Sequence, residues 1–200
     1  MILGITGGTG CGKTTALACF AALGGTVLDC DAIYHWLLET DENLLSAIDA
    51  RFPGCIENGK LDTKKLGNQV FSDPQALLEL NAITHKAVKD EILKILENTG
   101  GHIAIDAIAL IEGGLSELCD ATLAITAPRQ ARIGRLIARE GISEAYAAKR
   151  IDAQKPDSFF IDNCDYLLPN DASEEQFRKN CLAFFHRLGI IEENSKGETL

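Results

Sequence analysis

The run Gly7-Gly8-Thr9-Gly10-Cys11-Gly12-Lys13-Thr14 reads G-x-x-x-x-G-K-[ST] at every fixed position. Its glycines permit backbone conformations that turn successive N–H groups toward one anion. Lys13 can reach the β- and γ-phosphates of a nucleoside triphosphate, and the Thr14 hydroxyl can ligate Mg²⁺. Gly8, Thr9, Gly10, Cys11, Gly12, Lys13, Thr14 and Thr15 are therefore the candidate nucleotide-binding residues. The motif leaves the fate of the γ-phosphate open.

Acids stand at two further places. Asp29-Cys30-Asp31 closes an apolar stretch beginning at Thr26. A carboxylate there can accept the proton of an attacking hydroxyl. Asp31 is the better candidate, because Asp29 falls on the alternate side of the extended chain. Asp is also a favoured helix N-cap, so a capping role for Asp31 stays open. Asp106 follows His102-Ile103-Ala104-Ile105, where an acid can hold Mg²⁺ through water or simply serve a turn. His85, alone on a predicted helix, reads from its own surroundings as a structural hydrogen-bonder.

A third group is cationic. Residues 129–155 hold seven basic side chains (Arg129, Arg132, Arg135, Arg139, Lys149, Arg150, Lys155) against three acids (Glu140, Glu144, Asp152). The segment is thus +4 within a chain of formal charge −10. Arg132, Arg135 and Arg139 share one helix face at i, i+3, i+7. Such a face suits a lid that closes over transferring phosphate. Solvated arginines paired with nearby acids are the alternative.

The elements that must position these groups follow from the apolar pattern. Ile2 to Thr6 predicts a buried strand, and Lys13 to Leu23 a helix ended by Gly24-Gly25. Thr26 to Cys30 predicts a second strand, His102 to Asp106 a third, Ala121 to Thr126 a fourth and Cys164 to Leu168 a fifth. Between the second and third lies a long, mostly helical stretch, about 31–98. Within it Asp73-Pro74 starts a helix whose apolar face is Leu77, Leu80, Ile83, Thr84, Val88 and Ile92. Arg129 to Arg139 and Ser143 to Ala153 predict two helices broken at Gly141. Ser173 and Gln176 form a capping box for a last helix ending before Gly189, and the polar tail from Glu192 is expected to fray. Apolar strands alternating with helices predict an α/β fold: a three-layer, doubly wound parallel sheet of five strands.

Composition narrows the class. A chain of 200 residues, 46% hydrophobic and 24% charged, makes one globular domain rather than a disordered or fibrous one. No apolar run approaches the roughly 20 residues that span a bilayer. MILGITGG has no basic residue ahead of its apolar run, so no signal peptide is expected. The acidic balance excludes a bulk electrostatic grip on nucleic acid or anionic membrane. Seven cysteines, with no CxxC pair, point to reduced thiols in a cytoplasmic protein rather than a disulfide framework or zinc knuckle.

The chain resembles the dephospho-coenzyme A kinase family from Ile2 to about Arg187. The blocks that carry the resemblance are Gly4-Ile5-Thr6-Gly7-Gly8, Val27-Leu28-Asp29-Cys30-Asp31, Leu61-Asp62 and Val70-Phe71-Ser72-Asp73-Pro74. Leu80-Asn81-Ala82-Ile83-Thr84-His85, Leu110-Ile111-Glu112, Cys119-Asp120 and Arg139-Glu140-Gly141-Ile142-Ser143 follow, with Arg150 and Gln154. The resemblance implies a P-loop kinase fold. Its nucleotide core would be 1–31, 100–127 and 160–190. A helical subdomain for the acceptor would span 32–98, and a lid 128–158. It implies ATP-dependent phosphorylation of the ribose 3′-hydroxyl of dephospho-CoA, with Mg²⁺. Asp31 would be the base, Lys13, Arg132, Arg135 and Arg139 would act on the phosphates, and His85, Asp106 and Glu112 would lie toward the acceptor. Thr14 and Asp106 would hold the metal, and Asn170 would lie by adenine. The partner implied is dephospho-CoA, with the chain a monomer or weak homo-oligomer. The sequence departs from the family's usual pattern at His35, at His85-Lys86, at Ile108-Ala109 and at Leu168-Pro169-Asn170-Asp171.

Two other functions are compatible with the phosphate loop alone. One is a kinase of another nucleoside or small alcohol. The other is a switch-type NTPase, against which stand the missing N-K-x-D, D-x-x-G and LSGG-type motifs.

Overall fold

The computed structural model describes residues 1–71 and 73–190, so the tail from Glu192 lies outside the described residues. In chain order the elements are β1 (Ile2–Thr6), α1 (Lys13–Ala22), β2 (Thr26–Asp29), α2 (Cys30–Thr40) and α3 (Glu42–Arg51). A short pair, β3 (Ile56–Glu57) and β4 (Lys60–Leu61), precedes α4 (Thr63–Val70) and α5 (Pro74–Glu97). Then come β5 (Ile103–Asp106), a 3₁₀ turn at Leu115–Leu118, β6 (Ala121–Thr126), α6 (Arg129–Glu140) and α7 (Glu144–Asp152). The last are α8 (Asp157–Asn163), β7 (Tyr166–Pro169) and α9 (Glu174–Arg187).

The chain divides into two compact units. Among the described residues, one comprises Met1–Leu28, Gly100–Ile111 and Leu115–Ile190; the other comprises Asp29–Thr99 with Glu112–Gly114. Residues 128–158 fall within the first unit.

The first unit is built on a five-stranded sheet of order β2-β5-β1-β6-β7. β1 pairs in parallel with β5 and with β6, and β6 with β7. Leu3, Ile5, Ile103, Ala104, Ile105, Leu123, Ala124 and Ile125 are all buried, which is why these strands are continuous apolar runs rather than alternating ones. Phe20 on α1 meets Phe185 on α9 edge to face, with centroids 5.4 Å apart. That packing, with Ala16, Leu17, Cys19, Phe177 and Cys181 around it, fixes the helix that leaves the phosphate loop.

Two strand boundaries and one helix cap differ from expectation, each for a local reason. β2 ends at Asp29 rather than Cys30, because Asp29 Oδ1 accepts from Ala32 N at 3.0 Å and starts α2. β7 begins at Tyr166 rather than Cys164, since the Asp165 carboxylate takes the Thr122 N–H and hydroxyl, both at 2.8 Å. The capping box at α9 is half made: Ser173 accepts from Gln176 N, whereas the Gln176 side chain donates to Asn180.

The second unit is helical, as expected for 32–98, apart from the unforeseen β3–β4 hairpin turned at Asn58 (φ 51°) and Gly59 (φ 73°). Asp73 caps α5 by accepting from Gln75 N and Ala76 N, with Pro74 in the first turn. α5 buries Ala76, Thr84, Val88 and Ile92. These lie on one i, i+4 row, so the predicted face is rotated at its start and Leu77 and Leu78 are exposed. Among the described residues no helix is long and apolar enough to cross a membrane.

Candidate active site

Between β1 and α1 the main chain folds into a loop whose carbonyl oxygens are turned into the protein. Five consecutive ones, Gly8 to Gly12, have protein donors. Gly8 O accepts from Cys11 N at 3.2 Å, and Gly12 O from Thr15 N and Ala16 N. Thr9 O accepts from Arg132 Nε at 2.9 Å, and Gly10 O from Arg135 Nη1 at 3.0 Å. Cys11 O accepts from Asn170 Nδ2 at 2.9 Å and Arg135 Nη1 at 3.3 Å. Among the described residues no main-chain carbonyl takes the amides of Gly10, Gly12 or Thr14. A loop whose C=O groups are drawn inward, ahead of a helix N-terminus, is an anion cradle.

Several glycines of the loop leave no room for a Cβ, and one on Gly7 would fall 2.2 Å from the main-chain oxygen of Ile125. A Cβ on Gly8 would fall 2.1 Å from Arg132 Nη2, and one on Gly12 would fall 2.3 Å from Asn170 Nδ2. Gly12 also holds φ 110° as the residue that caps α1.

Lys13 Nζ stands 3.7 Å from Asp106 Oδ1, joining the first turn of α1 to the end of β5. Thr14, next in the helix, is exposed. Among the described residues no group of three or more His, Cys, Asp or Glu could hold a metal by itself. One hydroxyl and one strand-end carboxylate nevertheless suit Mg²⁺, a hard cation that takes oxygen ligands and is commonly held by one or two protein groups together with substrate phosphates. The Cys11 thiol is buried. Desolvation pushes its pKa above the usual thiol range, although Lys13 and Arg132 oppose the shift.

The three arginines of α6 do not behave alike. Arg132 is only 4% exposed. Besides Thr9 O, it donates from Nη1 to Asp157 Oδ1 at 3.0 Å and from Nη2 to Gln154 Oε1 at 3.2 Å. Arg135 binds two loop carbonyls and Asn170 Oδ1, the last at 3.1 Å. Arg139 does not join them: it is exposed and pairs with Glu140, which Arg150 also holds. Seven residues carry Arg139 about 10 Å along the helix axis from Arg132, out of the loop's neighbourhood. Asn170 braces the loop: it is 5% exposed, and the two ends of its amide serve Cys11 and Arg135. Gln154 and Asp157, which connect Arg132 to the segment after α7, carried no site signal from composition or spacing.

In the second unit Asp29, not Asp31, caps α2. The Asp31 carboxylate takes no part in that cap and is exposed in the first turn, while its main-chain oxygen meets His35 Nδ1 at 2.7 Å. His85 is half-buried on α5. Burial lowers its pKa and the Glu112 carboxylate partly opposes this, leaving it below the usual imidazole value. His85 and Glu112, separate in sequence, are therefore within electrostatic reach.

Residues 1–176 match the family model described as dephospho-CoA kinase. A dephospho-CoA kinase of Syntrophotalea carbinolica is 31% identical over 194 residues, covering 94% of this chain and 92% of the relative. One from Deinococcus radiodurans is 40% identical over 146 residues, 70% of each chain. Among solved structures, a Thermus thermophilus protein superposes with a TM-score of 0.77 at 31% identity, over 94% of this chain and 97% of that one. A shikimate kinase from Bacteroides thetaiotaomicron shares the fold, with a TM-score of 0.56 at 14% identity over 94% and 98%.

Proposed function

The chain belongs to the dephospho-CoA kinase family, and from that premise we propose what each of its site residues does. The reaction is the ATP-dependent phosphorylation of dephospho-CoA, the final step of coenzyme A biosynthesis. The acceptor atom is the ribose 3′-hydroxyl.

The observation that carries the site assignment is the loop with five carbonyls drawn inward. ATP places its β- and γ-phosphates against the amides that this leaves available. Lys13 neutralises charge that develops on the γ-phosphoryl group as it transfers. Thr14 and Asp106 would hold Mg²⁺, directly or through water, and the ion would neutralise the phosphates and orient the γ-group. Arg132 and Arg135 act mainly by shaping the loop, and Arg139 contributes least.

Asp31 accepts the proton of the attacking 3′-hydroxyl. Its carboxylate is exposed and Asp29 has taken over the capping role, which leaves Asp31 available for acid–base work. His85, uncharged at neutral pH, and Glu112 lie toward the acceptor. The proposed setting is a reducing cytoplasm, which suits seven free thiols, and the proposed state is a monomer or weak homo-oligomer.

A coupled ADP-release assay with ATP, Mg²⁺ and a panel of acceptors tests this reading. Turnover is expected with dephospho-CoA and not with adenosine, uridine or gluconate. Equal ADP release without any acceptor would assign the chain to hydrolysis instead.

A further inference from the structure

Gln154 lies between α7 and α8, outside every element of the nucleotide motif. Its Oε1 accepts from Thr9 N at 2.8 Å and from Arg132 Nη2 at 3.2 Å. Arg132 Nε in turn donates to Thr9 O at 2.9 Å. The peptide groups on both sides of Thr9 are thus held, one by each partner, and the two partners hold each other. Asp157, the first residue of α8, anchors the far end of the guanidinium at 3.0 Å.

We propose that Gln154 is a positioning residue for ATP binding, which fixes the Gly8–Thr9 peptide and so keeps the apex of the phosphate loop in its nucleotide-receiving shape. The proposal rests on the reading of this loop as the ATP site. Thr9 sits between two glycines, whose freedom lets the segment around it adopt many conformations. Fixing such a segment costs conformational entropy. With Gln154 in place that cost is met during folding; without it, the cost falls on the binding step. Gln154 acts through Thr9 and Arg132, so its loss weakens ATP binding and leaves the chemical step nearly intact.

The test replaces Gln154 with Met, which keeps length and bulk but removes the acceptor oxygen, and separately with Ala. For wild type and both variants, kcat, KM for ATP, KM for dephospho-CoA and the thermal midpoint are measured. Losing one hydrogen-bond acceptor is expected to raise KM for ATP roughly three- to tenfold. Turnover number and KM for dephospho-CoA should stay within about twofold, with only a modest fall in the midpoint as Arg132 Nη2 loses one acceptor. An unchanged or lowered KM for ATP overturns the proposal. So does a fall in kcat at constant KM, which would put Gln154 on the reacting atoms. A parallel loss of all parameters with a lowered midpoint would make it a packing residue and overturn it too. Absence of ATP-dependent turnover in the wild-type protein would instead overturn the underlying ATP-site reading.

Discussion

Lys13 and Asp106 form an ion pair, 3.7 Å between Nζ and Oδ1, that ties the first turn of α1 to the carboxyl end of a central strand. The loop's own cation is thereby held at the rim where β1 and β5 both end, since Ile5 is in register with Asp106. Lys13→Ala should leave the fold intact and lower kcat by roughly 10²- to 10³-fold, as for loss of one preorganised group acting on transition-state charge. Steady-state kinetics beside a thermal melt check this. Near-normal turnover by the folded variant would remove the phosphate-loop assignment.

Asp29 and Asp31 should separate cleanly. Asp31→Asn is expected to keep the thermal midpoint, because the cap belongs to Asp29, and to lose about 10²- to 10⁴-fold in kcat if an amide replaces the base. The loose transition state of phosphoryl transfer favours the low end of that range. Asp29→Ala should do the reverse, costing about 1 kcal/mol of stability with a smaller effect on rate. The two midpoints and the two rates form one experiment, and a stability loss confined to Asp31→Asn would reverse the roles.

Arg132→Ala and Arg135→Ala should each destabilise the protein by about 1–3 kcal/mol, since each leaves loop carbonyls without their donors. Each should also raise KM for ATP. Arg139→Ala should leave both rate and midpoint near wild type, as is usual for exposed ion pairs. Denaturant melts and ATP titrations on the three single variants decide this, and equal kinetic losses in all three would restore them to one functional face.

Gly12→Ala should be among the most damaging single-methyl additions. It places a Cβ at φ 110° and 2.3 Å from the Asn170 amide nitrogen. The backbone conformation alone costs on the order of 1–3 kcal/mol. A lower midpoint and loss of ATP binding are expected together, measurable by calorimetry. A variant that binds ATP normally would show that the loop reshapes around the methyl group.

His85 should titrate below its ordinary value of 6.5, because burial disfavours the imidazolium more than Glu112 favours it. The unfolded chain then holds the proton more tightly. The stability that His85 contributes is present above about pH 6.5 and is lost as pH falls through the folded-state value. NMR titration of the imidazole checks the direction, and Glu112→Gln should move it lower still. An upward move in that variant would show that Glu112 does not face the ring.

What was legible in the sequence differs by length scale. The phosphate loop was legible because its glycines and Lys13 act locally, within eight residues. The parallel sheet was legible because a strand covered on both faces must be apolar throughout. The sequence marks Arg132 and Asn170 as candidate site residues but gives no sign that they support the loop, because their partners Thr9 and Cys11 lie more than a hundred residues away. Helical spacing placed Arg139 beside Arg132 in angle and said nothing of axial reach. The Asp29 cap was missed because Asp29 and Asp31 are equally good capping types, and only the position where β2 ends decides between them. The β3–β4 hairpin was passed over although Asn58-Gly59 is a turn signal, since its strands are two residues each and carry no periodicity.

The inward-drawn carbonyls also bear on how nucleotide arrives. With 29 acidic and 19 basic residues, the protein as a whole repels a polyanion, while the cradle attracts it through oriented amides, Lys13 and the nearby guanidiniums of Arg132 and Arg135. The repulsion is long-ranged and the attraction short-ranged. At physiological ionic strength the screening length is about 8 Å, longer than a hydrogen bond and shorter than the molecule. Added salt therefore erases the opposing far field before it weakens the cradle. Moderate salt should quicken ATP association here, whereas in a basic nucleotide-binding protein it slows it.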